Sequence, residues 1–324
     1  MRKITCRLPA GGGASRLDVA IAQSPEAAAL KLSRGLIRKL IVAGAVYVNG
    51  KRVRVASRAL HGGEIINLYW DSKRATPGTS AAEGYTAEKF LPLRVLYEDE
   101  AVICFDKPAG LPTQPTLDEA RVNLYELAKR QLAHADGATA AHAPARPVYL
   151  GLHHRLDRDT SGVVLFTRDK KYNAFIADQF RAHKIAKLYV AVVHGKLKQP
   201  EGRLESFLAP VGKKGKRAKF GSVRSGGKKA ITDYLVLGGN REFTLVEVRI
   251  ATGRTHQIRV HFSEMGHPVA GDTLYGSDPA LYGKAGRHLL HAHALTFEHP
   301  VTGGHVRVES PVPQEFRQWV SSKP

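Results

Sequence analysis

The sequence predicts an α+β protein in two parts. A small basic α/β unit occupies residues 1–74. A larger unit at 91–324 is built on a mixed, mostly antiparallel sheet flanked by helices. Three observations carry this. Residues 75–90 are small, polar and without period (Ala75-Thr76-Pro77-Gly78-Thr79-Ser80 and onward), and read as a linker. Before them stands one helical stripe followed by a hairpin signal. After them strand and helix patterns alternate, with strands predominating in the second half.

In the small unit, Ser33 is a good N-cap. The run Arg34-Gly35-Leu36-Ile37-Arg38-Lys39-Leu40-Ile41 carries apolar residues at Leu36, Ile37, Leu40 and Ile41, one face of a helix. Arg34, Arg38 and Lys39 fall outside that stripe, and Gly44 is a suitable stop. Asn49-Gly50 between β-formers predicts a hairpin, because a type I′ turn needs positive φ at both central positions. Val46 and Val48 share one face of its first strand. Lys51 and Arg52 lie just past the turn, so helix and hairpin are both studded with cations.

In the larger unit, Leu93–Tyr97 and Ala101–Phe105 read as two strands around a turn at Asp99. Gly162–Thr167 is almost wholly apolar and reads as a buried strand. Lys170–Ala182 is expected to be a helix, with Tyr172, Phe175, Ile176 and Phe180 at helical spacing. Leu188–Val193 and Thr244–Ile250 read as strands. His256–Met265 reads as a short helix stopped by Gly266-His267-Pro268, and Ala133–Arg146 as a surface loop.

Composition narrows the function. The 324 residues include 49 Lys/Arg against 29 Asp/Glu, a net charge of +20. Residues 1–74 hold 14 basic and 4 acidic residues, half of the excess in under a quarter of the chain. Lys213–Lys229 holds eight basic residues and no acidic one. Concentrated charge of one sign suits a polyanion such as nucleic acid, or else a solvated surface. Lys213–Arg217 reads as an RNA-phosphate contact in a hairpin loop or as a solvated loop. No run of about 18 apolar residues exists, so no membrane span is expected. Met1–Cys6 is too polar for a secretory signal. Two cysteines without a CxxC pair fit a reducing cytoplasm.

The stretch His153-His154-Arg155-Leu156-Asp157-Arg158-Asp159-Thr160-Ser161-Gly162 precedes the buried strand. It is either a loop delivering side chains to a sheet end or a salt-bridged turn of structural value. In extended backbone Arg155 and Asp157 point one way and Leu156 the other. Arginines beside Asp157 favour its ionised form, and Gly162 supplies a permissive turn. His288-x-x-His291-x-His293 lacks a cysteine or carboxylate to complete a ligand set, so no metal is expected. Ser161 is not in a nucleophile-elbow pattern.

Two resemblances follow from these residues. Arg16-Leu17-Asp18, Ser33-Arg34, Leu40-Ile41, Gly44, Val46, Val48-Asn49-Gly50 and Gly63-Glu64-Ile65 resemble the ribosomal S-four-like (αL-motif) RNA-binding domain over about residues 14–70. Glu64 stands where aspartate is commoner. The resemblance implies RNA contacts from Arg34, Arg38, Lys39, Lys51 and Arg52. His154–Gly162 resembles the signature of the RluA-type pseudouridine synthases. Asp106-Lys107-Pro108-Ala109-Gly110-Leu111-Pro112, Lys187-Leu188-Tyr189, Thr252–His261, and Gly266-His267-Pro268 with Gly271-Asp272 and Tyr275-Gly276 follow the same family in order, over about 93–316. The HRLD form points to the RluA-type branch over its sister branch. Gln114 departs from the family, where histidine is common.

The resemblance implies a pseudouridine synthase fold and an isomerase that uses no cofactor. Asp157 would act at the sugar, as nucleophile on the anomeric carbon or as base at the neighbouring carbon. Tyr189 would pack on the base and assist removal of the proton from carbon 5. Arg259 would pair with Asp157, Ile258 would lie against the base, and Arg155 would fill the gap left by the flipped uridine. His154, Arg254 and His256 are expected at the RNA. The layout implies large-subunit ribosomal RNA as substrate, with transfer RNA as the alternative. The chain is expected to act as a cytoplasmic monomer. The rival class is a non-catalytic RNA-binding or ribosome-assembly factor of the same fold.

Overall fold

The computed structural model describes residues 2–7, 15–30, 32–42, 44–53, 55–70, 87–115, 122–135, 148–211, 219–276 and 285–321. The chain divides into two compact units, one of residues 1–85 and one of residues 86–115 with 122–324. Of the expected linker, 75–86 lies outside the described residues. Residues Ala87–Phe90 form one 3₁₀ turn, with Phe90 buried. The Lys213–Arg217 segment and residues 136–146 also lie outside the described residues.

The small unit comprises β1 (Arg2–Arg7), β2 (Ser15–Arg16), α1 (Leu17–Ala22), α2 (Pro25–Ala29), α3 (Arg34–Val42), β3 (Val46–Val48), β4 (Lys51–Val53), β5 (Ala59–Leu60) and β6 (Ile65–Trp70). Its main sheet runs β1-β6-β3-β4, antiparallel throughout. The Ser33 hydroxyl accepts the Leu36 amide at the start of α3. Ile37 and Ile41 are fully buried against Leu17, Val46, Val48, Ile66 and Leu68. The helix stops at Gly44 (φ 78°), where the amides of Gly44 and Ala45 turn back to the carbonyls of Ile41 and Leu40. Asn49 (φ 48°) and Gly50 (φ 77°) make the expected turn, with Tyr47 opposite Arg52.

Asp18 is fully buried and carries three arginines, each about half exposed: Arg16 at 3.0 Å, Arg34 at 3.1 Å and Arg38 at 2.6 Å. Burial alone would raise its carboxyl. Bonds from Arg16, Arg38 and Arg34 reverse that and hold it well below the ordinary range. A depressed folded-state pKa stabilises above the unfolded value of about 4, and the contribution fades as pH falls through the folded value. Asp18→Asn should therefore cost roughly 1–2 kcal/mol at pH 7, discounted for the half-exposed partners. In thermal melts of the full chain its deficit against wild type should narrow in acid.

The large unit comprises β7 (Arg94–Glu98), β8 (Val102–Lys107), α4 (Leu124–Ala135), β9 (Gly151–Leu152), β10 (Ser161–Thr167), α5 (Asn173–Arg181), β11 (Ala186–His194), β12 (Glu201–Val211), β13 (Lys219–Ser222), β14 (Lys228–Gly239), β15 (Phe243–Ile250), α6 (Gln257–Glu264), β16 (Leu290–Glu298), β17 (His305–Glu309) and α7 (Gln314–Ser321). Among the described residues its sheet runs β13-β12-β14-β15-β11-β16-β10-β8-β7, with β17 on β16 and β9 on β10. All pairs are antiparallel except β10 with β16.

Every residue of β10 is buried. Ile176 and Phe180 of α5 pack on its Val163 and Leu165, whereas Phe175 of the expected stripe is exposed. Ile258 and Phe262 of α6 pack on Ala191, Val193, Val246 and Val248, while Phe316 of α7 covers Val190 and Val192. Residues 133–135 end α4 rather than opening a loop. Among the described residues no helix is long and apolar enough to cross a membrane.

Gly162 lets β10 join β16. Its φ is 113°, and a Cβ there would lie 2.1 Å from the Ala292 carbonyl oxygen. Gly162→Ala meets both a strained backbone and a backbone clash, so urea titration should show a loss of more than about 3 kcal/mol. Wild-type stability would mean that the two strands do not approach this closely.

Candidate active site

The loop at residues 153–160 delivers Asp157 from the end of β9 to the start of β10. Backbone bonds hold it from several sides. The Thr113 hydroxyl donates to the Leu156 carbonyl and accepts the Leu156 amide, at 2.9 and 3.1 Å. Lys107 is fully buried, and its ammonium donates to the carbonyls of Pro108, Leu111 and Arg158. Burial pulls Lys107 down to about 7, with Asp159 and Asp157 pulling it back up. The Thr160 amide closes a turn on the Asp157 carbonyl, and its hydroxyl meets His288 Nε2 at 2.8 Å. Arg287 donates to the Asp159 carbonyl. Leu156 is buried and Arg155 exposed, the alternation expected of extended chain.

The Asp157 carboxylate is paired from one side. Arg259 Nη1 donates to Oδ2 at 2.8 Å, and His256 Nε2 stands 3.7 Å from Oδ1. The rest of the Arg259 fork is committed to Asp272, with Nε and Nη2 at 2.6 and 2.9 Å. Asp272 is fully buried and also accepts the amides of Leu274 and Tyr275. The Tyr275 ring lies 5.1 Å from the Arg259 guanidinium.

Burial alone would raise the Asp157 carboxyl, but His256, Arg259 and the Arg259 hydrogen bond hold it below its ordinary value. His256 is itself pulled down, chiefly by burial. It is neutral at neutral pH, so the standing positive charge on Asp157 is that of Arg259. The Tyr275 hydroxyl accepts the Phe220 amide and lies 2.8 Å from His256 Nδ1. His256 is left-handed (φ 56°) directly before α6, a conformation non-glycine residues adopt at a cost.

A pocket opens over this carboxylate. Arg155, Asp157, Tyr189, Arg254, His256, Ile258 and Arg259 all line it. Burial and the charge of Asp157 push the Tyr189 phenol up, so it is protonated at neutral pH. It offers a ring face and an O–H donor rather than an anionic base. His154 is a correction. It turns away from the pocket, stacks on Phe180 at 4.8 Å, and accepts the Leu165 amide at Nε2. Burial pulls it down to about 3. A neutral ring serving one backbone amide is a strut of the loop. Asp159 pairs with Arg158 at 2.8 and 2.9 Å.

Arg34, Arg38 and Arg52 lie in the small unit. The first two sit on Asp18, and Arg52 donates to the Tyr47 hydroxyl with its guanidinium 5.2 Å from that ring. The side chains of Lys39 and Lys51 lie outside the described residues. Sequence reasoning named Asp272, Tyr275, Lys107 and Thr113 without a role or passed over them. A buried charge that must find a partner was the available signal for Asp272 and Lys107. His288 and His291 bond Thr160 and Ser161, and His293 bonds the Ser310 carbonyl. Among the described residues no group of three His, Cys, Asp or Glu is placed to hold a metal.

The fold is that of an isomerase acting on RNA, and the chain belongs to the RNA pseudouridylate synthase family, whose model matches residues 101–264. An S4 domain matches residues 16–66. Among curated relatives, an RNA pseudouridine synthase of Aquifex aeolicus is 34% identical over 319 residues, covering 94% of this chain and 93% of the relative. A protein named ribosomal large subunit pseudouridine synthase D, of Xylella fastidiosa, is 33% identical over 339 residues, covering 97% and 91%. Its namesake of Xanthomonas campestris pv. campestris is 32% identical. Among solved structures, human RNA pseudouridylate synthase domain containing 1 shares the fold, with a TM-score of 0.56, 23% identity, and coverage of 68% of this chain and 83% of that one.

Asp272→Asn takes one anion from a buried pair while keeping its shape. Unfolding in urea should show a loss of about 3 kcal/mol, since Arg259 retains Asp157 as a partner. The turnover rate should fall about 10- to 100-fold with little change in KM, the size of effect seen when groups that orient a reacting residue are removed. Unchanged stability and rate together would mean that Asp272 does not position Arg259.

Proposed function

We propose that this enzyme converts uridine to pseudouridine in large-subunit ribosomal RNA, with Asp157 as its catalytic residue. The observation that carries the reading is a carboxylate paired with Arg259 in an open pocket walled by Tyr189 and Ile258. The glycosidic bond between C1′ and N1 breaks, the uracil turns, and a bond forms between C1′ and C5. The C5 proton leaves and N1 gains one, so no external reagent is consumed. Positive charge develops on the sugar as the first bond breaks, and a fixed anion at that point stabilises it. Attack on C1′ and proton removal at the neighbouring carbon both need Asp157 ionised, which Arg259 provides.

The base must leave its stack to reach the pocket, at a cost of a few kcal/mol. The Tyr189 face and an exposed arginine, Arg155, at the rim offset that cost. The neutral phenol of Tyr189 assigns it packing and hydrogen bonding at the base. The ribosomal assignment is supported by the relatives that match over 97% of this chain and whose names carry that substrate. The basic small unit supplies phosphate contacts, with Arg34, Arg38 and Arg52 among them.

Tritium release from ribosomal RNA transcribed with 5-tritiated uridine tests both claims. Wild type should release label, and Asp157→Asn should be slower by roughly a thousandfold or more. Release by Asp157→Asn at the wild-type rate overturns the assignment. In cells lacking the protein, a pseudouridine should be missing from large-subunit RNA. A loss confined to transfer RNA overturns the substrate.

A further inference from the structure

Lys187 stands on β11 two residues before Tyr189, about 7 Å along the strand. Its side chain is half-buried. A Cβ on Gly253 would lie 3.7 Å from its ammonium nitrogen, which places Lys187 beside the turn that carries Arg254 into the pocket wall. The titratable groups that face it are Arg254, His183 and His154. None of these is acidic. Among the described residues no carboxylate and no hydrogen-bond acceptor acts on the Lys187 ammonium.

This is an unusual place for a lysine. The buried or nearly buried cations Lys107, Arg259 and Arg287 end on an anion or on carbonyls. Half-burying an ammonium beside a guanidinium, with no counter-charge, costs free energy in the isolated protein. Burial and Arg254 accordingly pull Lys187 down to about 8. An anion bound by both cations would recover that cost. The polyanion in this reaction is the RNA backbone, which carries one phosphate per nucleotide. Tyr189 and Lys187 on one strand can then meet the base and the chain that bears it.

Resting on the isomerase reading above, we propose that Lys187 and Arg254 together hold a backbone phosphate of the RNA beside the uridine that enters the Asp157 pocket. The Arg254 Nε is already spent on the Lys229 carbonyl, which fixes the guanidinium plane and leaves its outer N–H groups for the phosphate. The ammonium supplies a point charge from the other side. The same contact ties recognition to pH. The free enzyme loses the Lys187 charge as pH rises through about 8. Binding there must take up a proton.

Two variants and two readouts test this. Binding of transcribed large-subunit ribosomal RNA is measured across a salt series for wild type, Lys187→Gln and Lys187→Arg. One lost single-strand phosphate contact lowers the slope of log affinity against log salt by about 0.7. Between 50 and 200 mM salt, two concentrations fixed by the experimenter, Lys187→Gln should thus lose about 2.6-fold less affinity than wild type. Lys187→Arg should keep the wild-type slope and, unlike wild type, should bind without taking up this proton above pH 8. A wild-type slope in Lys187→Gln, or the same loss in Lys187→Arg, overturns the proposal. A structural role for Lys187 would not move the salt slope. Tritium release by wild type reads the isomerase assignment separately, so failure of one reading is not mistaken for failure of the other.

Discussion

Arg259 stands between two carboxylates, and the position of Asp157 follows from that one guanidinium. A planar fork has a fixed set of N–H directions. Two of them are spent on Asp272, which leaves Nη1 aimed at Asp157. Asp272 is in turn held by the amides of Leu274 and Tyr275. The orientation of the Asp157 carboxylate is therefore set by backbone more than a hundred residues away. A lysine at 259 could neutralise Asp157 but could not transmit that direction. Burying this many charges is costly, and the cost is offset because each anion meets a cation and Asp272 also accepts two amides.

The other half of the placement comes from the loop itself. Loops present reactive groups well but hold them poorly, unless other side chains bond their backbone. Here Lys107 and Thr113 tie the loop to the segment after β8. Thr160 and Arg287 tie it to the start of β16. Gly162 then lets the chain run directly into the one parallel pairing among the described strands. The loop is thus gripped on both flanks of the sheet, with Asp157 at the point between them. His154 completes the grip from beneath by taking the Leu165 amide.

Legibility in the sequence followed local period. Helix α3, the Asn49-Gly50 hairpin and the apolar strand β10 could be read because their signals lie within ten residues. Strands β12 and β14 could not. In β12 exposed and half-buried residues alternate with charged ones among them, and β14 opens on two lysines, closes on two glycines and buries Thr232 between Ala230 and Tyr234, so neither shows a clean apolar period. In the site, the family pattern pointed to Asp157, Tyr189 and Arg259, and the structure gathers all three around one pocket. His154 was misplaced although the same alternation that put Arg155 and Asp157 together puts His154 with Leu156, on the inner side. Asp272 was quoted in a motif but given no partner. Nothing local joins it to Arg259 thirteen residues earlier, or Arg259 to Asp157 at a separation of 102.

A site of this kind faces two opposed electrostatic demands. For the proposed reaction it must draw in a polyanion, yet keep an anionic carboxylate, paired on one side by Arg259, where the ribose would arrive. The two are reconciled by depth. The anion that balances Arg259, Asp272, is fully buried, so its field is spent on its partner before it reaches incoming phosphate. The cations without such partners, Arg155, Arg254 and Lys187, stand at the rim or beside it. In the proposed reaction, a strand of RNA approaching the pocket would meet those cations first, and only a base and sugar that leave the stack would come within reach of Asp157.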